Sequence, residues 1–304
     1  MNKLLITIAL VITFATVGCT QTSEDVQPNY DQLPLAIDDV KPLRSLVDQD
    51  LQDRLIAELY KNKKWKRLIE QKKMAVGLVD LRDPLNVKYA RVNANVMMYA
   101  ASLPKIAILL AAEDAIDKGE MEETDEIKSD LRLMISKSDN AASTRMIDRL
   151  GYEKIERVLT DPRYDLYDED YGGGLWVGKR YAKYGDRYPE PLKGLSHAAT
   201  VSQVCRYYYM LAYGKLVSYD RSRIMLEMMV NPDLHHKFVN TLDQLAPRAK
   251  LFRKSGTWKN FHTDSVLVWG PEWRRYILVA LIEDPEGEKI CRDLVGEVET
   301  VLQH

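Results

Sequence analysis

Cysteine is scarce in this sequence, and neither sign of charge dominates it. Three cysteines among 304 residues are too few for a disulfide scaffold, and their spacing fits no zinc motif. Lys and Arg number 43 against 45 Asp and Glu, a formal charge of −2, so the basic excess of a nucleic-acid-binding protein is missing. With 46% hydrophobic residues, 15 Gly and 12 Pro, neither a disordered nor a collagen-like chain fits. We therefore expect a globular protein of one or two domains.

The chain begins with a short apolar segment. Lys3 precedes an almost unbroken apolar run from Leu4 to Val17, which is too short for a spanning helix and typical of a secretory signal. The run ends in Thr-Val-Gly-Cys, which resembles a bacterial lipobox, where cleavage precedes a cysteine that is then lipidated; the usual Leu three residues before the cysteine is Thr here. An ordinary signal peptide with an incidental cysteine is the alternative.

These features predict the domain organisation and the location. We expect a signal peptide over residues 1–18, a lipidated Cys19 with a polar, proline-containing linker over 19–40, and a folded domain over 41–304. The protein is then secreted, faces the periplasm and is held to the outer membrane by its lipid anchor alone, because Thr20 rather than Asp follows the cysteine.

Hydrophobic periodicity predicts strands near both ends of the domain and helices between them. Apolar residues at helical spacing predict a helix over 47–68, another over 287–302 and further helices in the middle. Residues 160–197 show no regular pattern, and so long a loop inside a compact domain is usually functional. Strands from distant segments form one sheet, so we predict an α+β fold with an all-helical subdomain inserted over about 101–245. The predicted strands are 74–81, 88–94, 250–257, 265–269 and 275–283.

The first candidate motif is S-x-x-K, formed by Ser102 and Lys105. A chain of this composition contains about one such match by chance, but Pro104 between them is typical of a first helical turn. Ser102 would then lie at a helix N-terminus, where free N–H groups favour a developing oxyanion. Lys105, one turn later, could accept the serine proton if burial keeps its amine neutral. The alternative is a surface lysine on an ordinary helix.

Two further motifs follow in the chain. Ser138-Asp139-Asn140 precedes a helical pattern, and these residue types are also the preferred N-caps; the functional interpretation makes Ser138 a proton relay and Asn140 an amide donor to substrate. Lys254-Ser255-Gly256-Thr257 lies on a predicted strand, where glycine lets a ligand approach the backbone. That stretch could equally be a strand end with a solvated lysine.

Together and in this order the three motifs resemble those of the penicillin-recognising serine enzymes, and the Ser-Asp-Asn form favours class A β-lactamases among them. The resemblance implies an antiparallel sheet of about five strands flanked by N- and C-terminal helices, in a serine β-lactamase-like catalytic domain. It implies that Ser102 is the acylated nucleophile and Lys105 its base. The other catalytic residues it implies are Ser138 and Lys254, and the substrate-binding residues are Asn140, Ser255, Gly256 and Thr257.

One part of the class A pattern is missing. Those enzymes carry E-x-x-L-N in the loop after Ser-Asp-Asn, and its Glu positions the water that releases the acyl group; no such stretch occurs here. Glu169 is the nearest candidate substitute for deacylation, although three adjacent carboxylates at 168–170 are more often a solvated turn. Acylation chemistry is therefore better supported than deacylation.

Three functional hypotheses follow. The first is a class A β-lactamase-type serine hydrolase, with a role in antibiotic resistance, that opens β-lactam or related amide bonds through acyl-Ser102. The second is a D-Ala-D-Ala peptidase or transpeptidase that acts on peptidoglycan stem peptides and deacylates slowly. The third is a non-catalytic, cell-wall-binding lipoprotein. We expect no metal, no other cofactor and no nucleic-acid partner, and we expect Cys205 and Cys291 to be buried free thiols.

Overall fold

The computed structural model describes residues 33–35, 37–271 and 273–303. The predicted signal peptide, Cys19 and most of the predicted linker lie outside the described residues. No helix within these ranges is long and apolar enough to cross a membrane.

Strands near both ends of the described chain form a single five-stranded sheet. Its order is β2-β1-β10-β9-β8, and each neighbouring pair is antiparallel. This confirms the predicted α+β fold and its antiparallel sheet. The strands are β1 Met74–Asp80, β2 Lys88–Val92, β8 Lys250–Trp258, β9 Phe261–Trp269 and β10 Arg275–Glu283.

Five short strands form two small accessory sheets, in the order β3-β7-β6 and β4-β5. Three of them lie in the segment 160–197 and a fourth begins at its last residue. The prediction of a loop without structure is therefore wrong for this segment. Two or three residues per strand are too few for a period-2 pattern to be visible in the sequence. The strands are β3 Met98–Tyr99, β4 Tyr167–Asp168, β5 Gly173–Gly174, β6 Trp176–Val177 and β7 His197–Ala199.

Ten α-helices lie within the described residues, and seven of them separate β2 from β8. They are α1 Gln49–Lys61, α2 Lys63–Glu70, α3 Lys105–Asp117, α4 Asp125–Ser136, α5 Asn140–Leu150, α6 Tyr152–Leu159, α7 Val201–Ala212, α8 Tyr219–Met229, α9 Phe238–Leu245 and α10 Gly287–Gln303. The helix predicted over 47–68 is in fact two helices, because the Asn62 side chain accepts the N–H groups of Lys64 and Trp65 and so caps α2.

The large sheet is covered on both faces. On one face the terminal helices α1, α2 and α10, with α9, pack into one apolar core; on the other face α3 to α8 form a second core. Every residue of β1 is buried as a result. Gly77 on β1 allows α7 to pack closely against the sheet. A Cβ atom at this position would lie 2.4 Å from Val201 and 2.5 Å from the Cys205 sulfur, both on α7.

The two described cysteines lie in different cores. Cys205 packs in the core beneath the helical region and Cys291 in the core beneath the terminal helices. Both are buried, free thiols, as expected. Burial raises the pKa of the Cys291 thiol to about 12.

Candidate active site

Ser102 lies in a tight turn between β3 and α3. Ala101 before it has a left-handed φ of +50°, and the regular helix begins at Lys105 after Pro104. The Ser102 N–H makes no hydrogen bond within the described part of the chain. Gly256 of β8 lies against this turn: a Cβ atom there would come within 2.4 Å of the Ala100 carbonyl oxygen and 2.6 Å of the Ser102 nitrogen. The turn and the β8 edge are thus in direct contact, and only glycine allows it.

The Lys105 side chain points from the first turn of α3 to the Ser-Asp-Asn stretch and is fully buried. Its amine donates to the Ser138 carbonyl oxygen at 2.6 Å and to Asn140 Oδ1 at 2.8 Å. Burial lowers the Lys105 pKa to about 7, and the nearby Asp139 charge opposes this shift. Two further oxygens, Ser138 Oγ and the Asp139 carbonyl oxygen, lie farther away, each 3.4 Å from Nζ. A neutral amine has two N–H groups and one lone pair, so when the two closest acceptors take the N–H groups the lone pair can accept a proton.

Ser138 lies between the two motif lysines. Its φ of +57° is unusual for serine and turns its hydroxyl toward them. Lys254 Nζ donates to Ser138 Oγ at 2.8 Å, and Lys105 Nζ lies 3.4 Å from the same oxygen. Burial, followed by the charge of Lys105, holds the Lys254 pKa well below its usual range. A proton can therefore pass between the lysines through the serine hydroxyl.

The structure confirms the N-cap interpretation of the Ser-Asp-Asn stretch at its middle residue. Asp139 is the N-cap of α5, and its carboxylate accepts the Ala142 N–H at 2.7 Å. This cap fixes the backbone on either side of it. Ser138 and Asn140 are thereby both presented to Lys105.

The β8 edge carries two supporting residues that the sequence analysis missed. Lys237, buried just before α9, donates to the Gly256 carbonyl oxygen at 2.6 Å and to Thr257 Oγ1 at 2.8 Å. His236 Nε2 lies 3.2 Å from Ser255 Oγ. Neither residue belongs to a recognisable motif, and only the fold brings the segment before α9 to this edge. The hydroxyls of Ser255 and Thr257 are thus held beside Lys254 along one strand.

An aromatic pair, Tyr181 and His197, lies beside Lys105 and the Ser102 turn. The Tyr181 hydroxyl donates to the Ala101 carbonyl oxygen at 3.1 Å, and its ring centre lies 4.4 Å from Lys105 Nζ. The Tyr181 and His197 rings are 4.3 Å apart. Burial lowers the His197 pKa to about 4, so the ring is neutral at pH 7. Both its nitrogens are in hydrogen-bond contact, one with the Lys179 carbonyl oxygen and one with Ser196 Oγ.

Glu169 lies elsewhere. It is exposed in a 3-10 turn between β4 and β5, and it does not line the cavity onto which Ser102 opens. The structure therefore does not bring Glu169 together with Ser102, and the predicted deacylation residue is not part of this group.

Ser102 opens onto a cleft of about 860 Å³, near the upper end of the roughly 300–1,000 Å³ typical of ligand sites. Its walls include Asn140 and Thr257, aromatic side chains and several cations. Within the described residues no Asp or Glu lines it. The aromatic residues are Tyr99, Tyr181, Trp258 and Phe261, and the cations are Lys179, Arg180, Lys183, Arg187 and Lys259.

Comparison with models of known protein families shows which family the chain belongs to. The model of the beta-lactamase enzyme family matches residues 127–300, more than half of the chain. The protein belongs to this family. The match includes Ser138, Asn140 and Lys254 and begins after Ser102 and Lys105. No curated protein matches the chain.

Solved structures show the same fold. A beta-lactamase from Sphaerobacter thermophilus is 17% identical, with a TM-score of 0.62 over 82% of this chain and 95% of its own. PBP-A is 18% identical, with a TM-score of 0.61 over 84% of this chain and 97% of its own. TLA-3 extended-spectrum beta-lactamase is 14% identical, with a TM-score of 0.63 over 84% and 99%. Together with the family membership, this fold makes the protein a hydrolase of the beta-lactamase fold.

In this beta-lactamase-family protein the three motifs converge. Ser102 and Lys105 come from the turn after β3 and the start of α3. Ser138 and Asn140 come from the start of α5 and the residues before it, and Lys254 to Thr257 come from β8. Chemically, the group contains an alcohol, a buried amine of lowered pKa and a hydroxyl that can carry a proton between two amines. These are the parts that nucleophilic acyl transfer needs.

Proposed function

We propose that this hydrolase opens a β-lactam or a related amide bond through an acyl intermediate on Ser102. The observation that carries the proposal is the buried Lys105 amine, whose pKa of about 7 leaves much of it neutral at physiological pH. Such an amine, one helical turn after a serine, can serve as the general base for its hydroxyl.

The hydrogen bonds of Lys105, Ser138 and Lys254 support a sequence of proton transfers. The Ser102 hydroxyl attacks the carbonyl carbon and gives its proton to Lys105. The proton reaches the leaving nitrogen through Ser138, whose oxygen contacts both Lys105 and Lys254. The unpaired Ser102 N–H, together with that of Thr257, would stabilise the oxyanion.

The β8 edge and Asn140 suit substrate binding. Lys254, Ser255 and Thr257 offer an amine and two hydroxyls to a substrate carboxylate, and Lys237 adds a second amine behind Thr257. The Asn140 oxygen accepts from Lys105, which leaves its amide N–H group for the substrate.

A second function, D-Ala-D-Ala peptidase or transpeptidase activity with slow deacylation, is favoured by the composition of the cleft. The described lining of the cleft contains no carboxylate that could act as a general base for a water molecule attacking the acyl ester. One of the fold neighbours is a PBP-A variant solved as an acyl-enzyme complex with penicillin G. Peptidase activity would release the acyl group to an amine acceptor or slowly to water.

Intact-mass spectrometry after incubation with benzylpenicillin tests acylation. We expect one penicilloyl adduct on the native protein and none on Ser102→Ala. Ser196→Ala is the matched control, because Ser196 lines the same cleft and its removal should leave the adduct. No adduct on the native protein would refute the proposal.

The rate at which the adduct disappears separates the two functions. Rapid loss, with turnover of a chromogenic cephalosporin, identifies a β-lactamase. A persistent adduct with cleavage of a peptide ending in D-Ala-D-Ala identifies a peptidase. Ligand binding that survives Ser102→Ala, with neither reaction, would favour the non-catalytic hypothesis.

We also propose that the domain over 41–304 acts on the periplasmic side, tethered through lipid on Cys19. The apolar run before Cys19 and the polar residues after it support this. Labelling of cells with radioactive palmitate, compared between the native chain and Cys19→Ala, tests it; equal labelling would refute it.

A further inference from the structure

The residues that bring about the proposed reaction form only part of the cleft. The cleft is also lined by residues of the segment 179–187, here called the cationic loop, and by Lys259 in the hairpin turn that joins β8 to β9. The cationic loop reads Lys-Arg-Tyr-Ala-Lys-Tyr-Gly-Asp-Arg, with four basic residues and one acidic residue. Nothing in the acyl-transfer chemistry requires this charge.

Most of these cations have no carboxylate to neutralise them. Arg180 donates to Asp148 at 2.6 Å. The other four cations that line the cleft form no ion pair in the described part of the chain; they are Lys179, Lys183, Arg187 and Lys259. A protein of net charge −2 thus concentrates positive charge on one wall, which favours the binding of anions.

The cationic loop is anchored at both ends rather than left free. The backbones of Lys179 and Arg187 form an antiparallel β-bridge that closes the loop. The Tyr181 hydroxyl donates a hydrogen bond to the Ala101 carbonyl oxygen. After the loop, Tyr188 stacks between Tyr152 and Trp176, with ring centres 5.6 and 5.9 Å away. Its hydroxyl also donates to Glu156. The backbone that carries the cations is therefore held in place before a ligand arrives, which reduces the entropy lost on binding.

Aromatic surface lies beside the charge. Trp258 on β8 is 55% exposed, and Lys259 follows it at the hairpin turn. Tyr99 and Phe261 are in edge contact, 5.5 Å apart. An extended ligand can thus place apolar atoms on these rings and its charged groups on the cations.

From these observations we infer that the cationic loop and Lys259 bind carboxylates of the acyl donor that lie away from the bond being broken. The natural substrate is then an acidic peptide with carboxylates beyond the one held at the β8 edge, and a neutral amide is a poorer substrate. This inference rests on the proposed acylation of Ser102 and names the class of substrate for it.

Two penicillins that differ by one carboxylate test the inference. Benzylpenicillin has a neutral side chain, and carbenicillin is the same molecule with a carboxylate added to that side chain. The readout is the ratio of their acylation rate constants, carbenicillin over benzylpenicillin, followed by intact mass. Because both penicillins acylate Ser102 by the same reaction, a change that affects this reaction alone alters both rate constants equally and leaves their ratio unchanged.

The decisive variant is Lys179→Gln with Lys183→Gln. An exposed ion pair contributes roughly 0.2–1 kcal/mol, which is up to about fivefold per cation, so we expect the ratio to fall several-fold. The matched control is Lys63→Gln with Lys66→Gln, which removes the same charge from α2 outside the cleft. Raising NaCl from about 20 to about 500 mM should also lower the ratio in the native protein. A ratio unchanged in both tests would overturn the inference.

A binding measurement keeps the inference testable if Ser102 proves unreactive. The ligands are two peptides ending in D-Ala-D-Ala, one with two further carboxylates and one with carboxamides in their place. Calorimetry with Ser102→Ala should show tighter, salt-sensitive binding of the acidic peptide. Equal affinity would overturn the inference, whereas a missing penicilloyl adduct would count only against the proposed reaction.

Discussion

At the scale of single residues, burial decides what Lys105 can do. An exposed lysine is almost fully protonated at pH 7 and cannot accept a proton. Here burial lowers the pKa of Lys105 to about 7, against the opposing charge of Asp139. The same side chain that would be a surface cation elsewhere thus becomes a candidate base.

The first prediction concerns the pH dependence of acylation. Lys105 acts only when neutral, so the acylation rate should fall as the pH drops below about 7 and level off above it. We expect roughly a tenfold loss for each pH unit below the pKa, measured with a fluorescent penicillin between pH 5 and 8.5. A flat profile across this range would exclude Lys105 as the base.

The second prediction concerns Gly256. In Gly256→Ala the new methyl group would overlap the Ala100 carbonyl and the Ser102 nitrogen, so the nucleophile turn must move away from β8. Overpacking costs about 1–3 kcal/mol, and we expect acylation to fall at least tenfold with a lower melting temperature. In the control Gly296→Ala, on α10, no atom lies within 4 Å of the added group, and helix propensity should stabilise the protein by about 1 kcal/mol. Normal acylation in Gly256→Ala would contradict the close contact between β8 and the Ser102 turn.

At the scale of elements, a buried ion pair joins the strands that carry the site. Arg253 of β8 binds Asp264 of β9 through two contacts, at 2.7 and 2.8 Å. Arg253 also donates to the Leu234 carbonyl oxygen at 2.8 Å, and Asp264 accepts the Phe238 N–H at 3.1 Å. This pair therefore positions both Lys254 and the segment that carries Lys237.

The third prediction is the cost of breaking this pair. In Asp264→Ala the buried Arg253 loses its carboxylate, and we expect the free energy of unfolding to fall by about 3–5 kcal/mol. Urea denaturation followed by circular dichroism measures it. The control Glu227→Gln breaks an exposed pair with Arg223 on α8, which should cost about 0.5 kcal/mol or less. Equal losses in the two variants would contradict this role.

The elements also show how far sequence alone can predict such a site. The five sheet strands and the helix after S-x-x-K were predictable, because their apolar patterns are long enough to show a period. The convergence of Lys105, Ser138 and Lys254 was expected only through a family resemblance. Lys237 and Tyr181 could not be predicted, because tertiary packing alone brings them to the cleft. Glu169 was the nearest candidate in the sequence, yet it does not line the cleft.

At the scale of the whole molecule, the sheet separates two apolar cores with different relations to the site. Leu103 belongs to the core under the helical region and follows the nucleophile directly, whereas Leu294 of α10 belongs to the core on the opposite face. Both side chains are fully buried. They therefore form a matched pair that differs in distance from the chemistry.

The fourth prediction uses this pair. Leu103→Ala and Leu294→Ala should each lower the free energy of unfolding by about 2–5 kcal/mol, since each leaves a cavity of similar size. Only Leu103→Ala should also slow acylation of the folded protein, because the space it opens lies beneath the turn that aims Ser102 and a misplaced nucleophile loses rate steeply. Acylation measured well below both melting temperatures separates the two effects. Equal slowing in both variants would mean that the site depends on overall stability rather than on local packing under Ser102.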